Sequence, residues 1–250
     1  MTTFSGRIAV VTGATSGIGR ELAIALGKRG DRVVGIGRNP ARLQSLREDL
    51  GPGHFVLGLD VASEADMIEL SEFLKTLGKV NLLIASAVLG RVGGESSLPP
   101  RARDLPLSDW QTMVDVNLHG VFLANQAVLP LMRQAEDGDI VNIGSAITPH
   151  GQKGQALALA YSATKFALTA YGHALAEEMS AEGIRVRTIL PGTVDTPLIA
   201  GTALGASFGG SISPKNFATA LLGLIDLGQD IWVPDPHILP SPRSLSGAGT

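Results

Sequence analysis

Tyr161 and Lys165, spaced Tyr-x-x-x-Lys, stand in a relation that could move a proton. A free phenol has a pKa near 10 and is a poor base at neutral pH. An ammonium one helical turn away lies on the same face and favours the phenolate electrostatically. The pair therefore suits general acid–base work on an oxygen that gains or loses a proton. The chain has only 2 tyrosines, and Tyr171 lacks such a neighbour, so it reads as a helix-packing residue. Ser145 carries a hydroxyl that could hold the same oxygen, and two such donors would stabilise a developing alkoxide. Asn117 sits inside an amphipathic helical pattern, where asparagine is locally unfavourable.

A second group of residues could hold phosphate. Thr12-Gly13-Ala14-Thr15-Ser16-Gly17-Ile18-Gly19 lies between a strand-like run and a helical pattern. Gly13 permits a tight turn, Gly17 lets backbone approach a pyrophosphate, and Gly19 lets helix and strand pack closely. The helix N-terminus that follows offers free N–H groups and partial positive charge. Glycines alone also make a plain structural turn; their place after a strand and before a helix favours the nucleotide. No Gly-Lys-Ser/Thr is present, which excludes a triphosphate P-loop. The next strand-like run ends at Gly37 and is followed by Arg38. NAD enzymes usually place an acidic residue there for the ribose 2′-hydroxyl. An arginine instead meets a 2′-phosphate with a charge-assisted fork, so the expected cofactor is NADP rather than NAD.

These residues need a scaffold, and the chain supplies alternating elements. Strand-like runs fall at 7–12, 32–37, 54–59, 80–85, 139–144 and 184–190, with a last short one expected at 230–233. Helical patterns fall at 18–29, 40–50, 64–77, 108–134, 159–181 and 214–227. The strands read as continuous apolar runs, as expected when helices cover both sheet faces. This order predicts an α/β fold, a single doubly wound parallel-sheet (Rossmann-type) domain over 1–250 with about seven strands. Three connections break the rhythm, 86–107, 146–158 and 193–213, and all follow strands. Ligands bind beyond the carboxyl ends of strands in such sheets, so substrate is expected there. The proline-bearing tail from 234 to 250 is expected to be poorly ordered or packed on a neighbour.

The motifs together resemble those of the short-chain dehydrogenase/reductase family, over about residues 5–200. The resemblance rests on Thr12-Gly13-x-x-x-Gly17-x-Gly19, Asp60-Val61, Asn117 in Val116-Asn117-Leu118, Ser145, Tyr161-x-x-x-Lys165, and Pro191-Gly192-Thr193-Val194-Asp195-Thr196. It implies hydride transfer between a nicotinamide and a carbonyl or secondary alcohol, with Tyr161 as acid/base, Ser145 on the substrate oxygen and Lys165 supporting Tyr161. It implies that Asn117 bends its helix and supports a proton-relay water near the lysine. Asp60 and Val61 would meet the adenine. Thr15, Ser16, Ile18, Ala87, Pro191, Gly192, Val194 and Thr196 would line the cofactor together with the glycines, Arg38, Tyr161 and Lys165. Helices 108–134 and 159–181 would form a homodimer or homotetramer interface.

Two departures from that pattern matter. The family usually carries Asn-Asn-Ala-Gly after the fourth strand, whereas this chain reads Ala85-Ser86-Ala87-Val88. Weaker cofactor binding or a compensating contact is expected, without loss of the fold. The interval from Ser145 to Tyr161 is also longer than usual by a few residues, which reshapes the substrate side. Val88, Leu89, Ala146, Ile147, Leu157, Leu159, Val194, Leu198 and Ile199 predict a mainly apolar pocket for an uncharged ketone or aldehyde.

Composition narrows the classes further. With 20 Lys+Arg against 23 Asp+Glu the net charge is −3, and no basic surface for nucleic acid is expected. Zero cysteines exclude disulfides, thiolate zinc sites and a cysteine nucleophile. The 5 histidines are scattered without ligand spacing, so no metal is expected. No apolar run is long enough to span a bilayer and no signal core opens the chain, so a cytoplasmic protein without membrane partners is expected. Ile143-Gly144-Ser145-Ala146-Ile147 fails the Gly-x-Ser-x-Gly of serine hydrolases. Two alternatives stay open: a non-catalytic nucleotide-binding or sensing protein of the same fold, or an NAD-dependent alcohol dehydrogenase.

Overall fold

The computed structural model describes residues 5–92, 100–133, 135, 138–147, 158–199, 210–228 and 230–241. Seven strands form one sheet: β1 (Ile8–Thr12), β2 (Arg32–Gly37), β3 (Phe55–Gly58), β4 (Leu82–Ala85), β5 (Asp139–Ile143), β6 (Arg185–Pro191) and β7 (His237–Ile238). Their spatial order is β3-β2-β1-β4-β5-β6-β7, and every neighbouring pair is parallel. The order reverses direction between β1 and β4. Thr12 pairs with Ile36 on one side and Ala85 on the other, so the carboxyl ends of β1, β2 and β4 finish level. That edge is where an open α/β sheet holds ligands.

Alternate side chains of each strand feed two separate cores. Val10, Val34, Leu83, Ile140 and Val186 pack with α3 (Glu64–Lys75), α5 (Gly120–Met132) and α6 (Leu159–Ser180). Ala9, Val11, Val33, Ile84, Val141 and Ile189 pack with α1 (Gly17–Lys28), α2 (Pro40–Leu50) and α7 (Pro214–Ile225). Both faces are apolar because both are covered, which is why the strands lack a polar alternation. Helix starts follow local chemistry. Asn39, Ser63 and Ser213 accept backbone N–H groups at the openings of α2, α3 and α7, with proline in the first turn of α2 and α7.

Two elements differ from the sequence expectation. The helix expected over 108–134 divides into α4 (Leu107–Val114), a π-helical turn Asp115–His119, and α5. The turn centres on Asn117, whose fully buried amide bonds outside the helix and widens it there. The last strand lies at His237–Ile238 and not at 230–233. The carbonyls of Pro234, Pro236 and Ile238 accept from Thr188, Leu190 and Gly192 N–H at 2.7, 3.0 and 2.9 Å. A proline offers an acceptor but no N–H in return, so the ladder is regular over only two residues at the sheet edge. The proline-rich stretch as far as 241 is thus tied to β6, and 242–250 lies outside the described residues.

Beneath the β5–β6 edge lies a buried ionic cluster. Asp139 accepts from Arg185 Nε and Nη2 at 2.9 and 2.7 Å and from Arg187 Nη1 at 2.5 Å. Asp139 and Arg187 are fully buried. Arg185 also donates to the Leu227 and Gly228 carbonyls, fastening the end of α7 to the sheet. One carboxylate thus holds two cations, and among the described residues Arg187 Nε and Nη2 have no further hydrogen-bond partner.

Candidate active site

The β1–α1 turn is shaped by close backbone approach. Gly13 has φ +65, and a Cβ there would fall 2.8 Å from Ala87 Cα. No other residue fits, because the chain leaving β4 crosses directly over it. Thr12 holds that crossing in place, its Oγ1 accepting both the Ser86 and Ala87 N–H groups at 3.1 Å. Gly17 has φ +51 and lies against the Thr196 side chain. Ser16 precedes α1 and makes no capping bond, so its hydroxyl is uncommitted beside the helix N-terminus.

Two clefts open at the carboxyl edge of the sheet. The first, about 350 Å³, runs from the glycine turn to the start of α6. Gly13, Ser16, Gly17 and Ile18 line one end, and Ser145, Tyr161 and Lys165 stand in it. Pro191, Gly192, Val194 and Thr196 complete it from the end of β6 and beyond. The adjoining cleft, about 500 Å³, is lined by Thr15, Arg38, Asp60, Val61 and Ala87, and it shares Gly13, Ser16, Arg42, Val88 and Leu89 with the first. Gly19 lines neither cleft; a Cβ there would lie 2.4 Å from the Gly13 carbonyl oxygen, so it serves helix–strand packing.

Tyr161 lies in the first turn of α6 and Lys165 in the next. The Lys165 ammonium donates to the Ile143 carbonyl at 2.7 Å and stands 5.8 Å from the Tyr161 ring centre. Burial pushes Lys165 down from 10.5 to about 7. Burial pushes the Tyr161 phenol up from 10.0, opposed by a side-chain hydrogen bond with Ser145. Ser145, two residues beyond β5, also accepts the Ile147 N–H at 3.2 Å, which fixes the turn that presents it. In this setting Tyr161 holds its proton at neutral pH and can donate it, while Lys165 sits near its titration point.

Asn117 does not line the clefts. Its Oδ1 accepts the Leu89 N–H at 2.7 Å, and its Nδ2 donates to the Leu89 carbonyl at 2.9 Å and approaches Thr164 Oγ1 at 3.4 Å. It therefore clamps the peptide that follows β4 and links it to α6. Thr12 holds Ser86 and Ala87 and Asn117 holds Leu89, so the two fix the segment that lacks the usual asparagines from within and from its far end. Thr12's part could have been foreseen from its place at the end of β1, but the Leu89 clamp has no local signal.

The remaining expectations divide. Arg38, 57% exposed, pairs with Asp60 Oδ2 at 3.1 Å. Asp60 also accepts the Ala62 N–H, and its own N–H donates to Asp66. Val88, Leu89, Val194, Leu198 and Ile199 line the first cleft. Ala146 and Ile147 are buried without lining it, Leu159 belongs to a small side pocket, and Leu157 lies outside the described residues. Arg42 and Arg91 line the first cleft and were not anticipated; Arg91 adds a cation to an otherwise apolar substrate side. Among the described residues no cluster of metal-ligating side chains occurs. His54, instead, accepts the Val33 N–H, and His119 pairs with Asp115.

Residues 7–204 match the short chain dehydrogenase family. The chain belongs to that family. It is an NAD(P)-dependent short-chain oxidoreductase, and its sheet is the Rossmann-type sheet of such enzymes. An uncharacterised oxidoreductase of Staphylococcus epidermidis is 33% identical over 235 residues, covering 94% of this chain and 97% of the relative. An alcohol dehydrogenase of Thermococcus sibiricus, solved with 5-hydroxy-NADP, superposes with a TM-score of 0.80 at 26% identity, covering 94% and 97% of the two chains. A 3-ketoacyl-(acyl-carrier-protein) reductase of Brucella melitensis, solved with NADH, gives 0.83 at 25% identity, covering 93% and 96%.

Proposed function

We propose that this short-chain dehydrogenase uses NADP(H) to interconvert a carbonyl and a secondary alcohol on a mainly apolar small molecule, with Tyr161 as the acid/base. The observation that carries the reading is the meeting of Tyr161, Ser145 and Lys165 in one cleft that begins at the glycine turn. The cradle fits a dinucleotide. Gly13 has no room for a Cβ beside the chain leaving β4, the Ser16 hydroxyl caps nothing, and the two clefts adjoin at Gly13, Ser16, Val88 and Leu89. The bound nicotinamide would supply the hydride donor or acceptor.

In this reading Gly13, Thr15, Ser16, Gly17 and Ile18 meet the pyrophosphate with backbone and hydroxyl donors, and Gly19 seats the helix behind them. Asp60, Val61 and Ala87 bound the adenosine side, with Arg38 toward a 2′-phosphate. Pro191, Gly192, Val194 and Thr196 bound the nicotinamide side. In reduction Tyr161 gives its proton to the substrate oxygen while the Ser145 hydroxyl donates to the same oxygen. In oxidation the Tyr161 phenolate takes the proton, and Lys165 stabilises that phenolate when it is protonated. Asn117 supports this site from outside by holding the Leu89 peptide and the α4–α5 bend. The arginines at the adenosine side favour NADP over NAD, and the solved neighbours include one with an NADP derivative and one with NADH.

The same reading treats the whole chain as one catalytic unit acting in the cytoplasm as a homodimer or homotetramer through α4, α5 and α6. Phe122 on α5 is 46% exposed and stacks edge-on against Tyr171 of α6, so an exposed ring lies where these two helices meet. No helix among the described residues is long and apolar enough to cross a membrane. The deciding experiment is a side-by-side fluorescence titration of NADPH and NADH, followed by a carbonyl-substrate screen. Tighter NADPH binding and carbonyl turnover support the reading. Tighter NADH binding replaces the cofactor, and binding of neither overturns the proposal.

A further inference from the structure

We propose that the substrate carries a zwitterionic head beside its reacting carbon, with Arg91 holding the carboxylate and Asp109 the ammonium. The class this names is a 2-amino-3-hydroxy acid with an apolar substituent on the carbinol carbon, or the matching 3-oxo compound. The inference rests on the oxidoreductase reading above and deepens it. It starts from the small side pocket, about 40 Å³, that adjoins the first cleft. Gly90, Arg91 and Tyr161 line both spaces and so frame the mouth between them. The first cleft is lined by two arginines with different second neighbourhoods. Arg42 is shared with the adjoining cleft that also holds Gly13 and Ser16, whereas Arg91 is shared with the side pocket at Tyr161. Arg91 is therefore the substrate-side cation.

Asp109, in the first turn of α4, lines the same side pocket. Besides Tyr161, these two are the ionisable side chains among the described residues of its wall, and both are half-buried. Among the described residues the Asp109 carboxylate meets only the Ser108 hydroxyl, at 3.5 Å, so the two charges do not cancel by direct pairing. Arg91 has contacts of its own, and a guanidinium has donors enough to add a carboxylate to them. A pocket with one cation and one anion that do not meet is complementary to a ligand carrying both charges. A plain carboxylate is drawn by Arg91 but opposed by Asp109, and a plain amine meets the reverse. An uncharged group leaves both charges unanswered as it displaces their water. The pocket's volume admits one small head and no ring or chain. Because Tyr161 stands at the same mouth, the carbon bearing the two charges adjoins the carbon whose oxygen meets the phenol. The apolar substituent then lies along Val88, Leu89, Leu198 and Ile199. In oxidation the carbinol hydride passes to the oxidised nicotinamide, the hydroxyl proton passes to the Tyr161 phenolate, and a carbonyl forms on that carbon.

The test uses the full chain with whichever oxidised nicotinamide nucleotide it binds, and alcohols that differ only in the head. One series is 3-phenylserine, 3-hydroxy-3-phenylpropanoate, 2-amino-1-phenylethanol and 1-phenylpropan-1-ol. A methyl series, threonine, 3-hydroxybutanoate, 1-aminopropan-2-ol and butan-2-ol, is run beside it so that a misfit of the ring does not decide the result. All stereoisomers are included. In at least one series the zwitterion should exceed its three partners in kcat/KM by about tenfold or more. Calorimetric binding of the same alcohols to the enzyme with reduced nucleotide should follow the same order. Arg91→Gln should raise KM for the zwitterion and move the preference toward the amino alcohol. Asp109→Asn should move it toward the hydroxy acid, and thermal unfolding of both variants is compared first. A wild type that prefers the uncharged alcohols overturns the proposal. So does a preference for the hydroxy acid that Asp109→Asn leaves unchanged, which would reduce Asp109 to a helix-start charge. A wild type that turns over no alcohol in either series or in the carbonyl screen overturns the oxidoreductase reading itself, a failure visible before any variant is made.

Discussion

The Lys165 ammonium stands 5.8 Å from the centre of the Tyr161 ring while donating to the Ile143 carbonyl at 2.7 Å. The lysine is thus anchored to the end of β5 with its ammonium over the Tyr161 ring. Ser145 approaches the same phenol from the loop after that strand, so α6 and β5 set the three groups jointly.

Replacing the Tyr161 hydroxyl tests the proton-transfer role. Tyr161→Phe should lower turnover by about a hundredfold to ten-thousandfold, the usual worth of a positioned acid or base. NADPH affinity should stay within a few-fold, because the ring remains. Steady-state assay beside a binding titration checks this, and comparable turnover in the variant would remove Tyr161 from the chemistry.

The α/β order, the glycine turn and the Tyr161–Lys165 pair were legible because each is local: a period, a spacing, a residue that only fits one backbone. The Asp60 pair of Arg38, the Leu89 clamp of Asn117 and the cleft-facing place of Arg42 join residues far apart in sequence or depend on where a side chain leans. Prolines 234, 236 and 240 misled in a different way. They signal a break in secondary structure, yet at a sheet edge the carbonyls of Pro234 and Pro236 still accept.

The pH response should differ between the two directions of reaction. Tyr161 is pushed above 10.0 by burial, so the acid form needed for reduction persists across the neutral range. Reduction should be nearly flat from about pH 6 to 9, whereas oxidation, which needs the phenolate, should rise with pH over that range. Initial rates in both directions across one buffer series check it, and an oxidation rate that falls with rising pH would contradict the assignment.

Lys165 should also leave a mark on stability in the absence of cofactor. Its pKa falls from 10.5 in the unfolded chain to about 7 in the fold, so between these values the unfolded chain holds more protons. Stability from this group therefore rises with pH across that window and is lost as pH falls toward 7, on the order of 1 kcal/mol per pH unit. Lys165→Met should flatten the slope. Urea unfolding at several pH values measures it, and an unchanged slope in the variant would place the titration elsewhere.

Thr12 should matter for both stability and binding. Thr12→Val keeps the shape but leaves the Ser86 and Ala87 N–H groups without their acceptor. A buried orphan such as the Ser86 N–H costs about 1–3 kcal/mol, so a loss of that order and weaker nucleotide binding are expected. Thr12→Ser should restore most of both. Equal stability for Thr12→Val and the wild type would show that the hydroxyl is dispensable.

Asp139 should be the least replaceable carboxylate. Asp139→Asn leaves Arg187, fully buried, without its counter-charge and should cost about 3–5 kcal/mol. A paired Asp139→Leu, Arg187→Met variant should be less harmed than Asp139→Asn alone, because the fully buried charge leaves with its partner and only Arg185, which also donates to backbone carbonyls, loses the carboxylate. Denaturant midpoints compare them directly.

The strand at His237–Ile238 has a consequence for the order of assembly. Gly192, a wall of the first cleft, donates to the Ile238 carbonyl and lies against Pro240, so a Cβ at Gly192 would fall 2.9 Å from the Pro240 ring. The glycine turn, Tyr161 and Lys165 emerge from the ribosome long before those residues do. One wall of the cleft is therefore braced by residues made late in the chain, so a chain shortened before Ile238 should lose that brace while keeping the glycine turn, Tyr161 and Lys165.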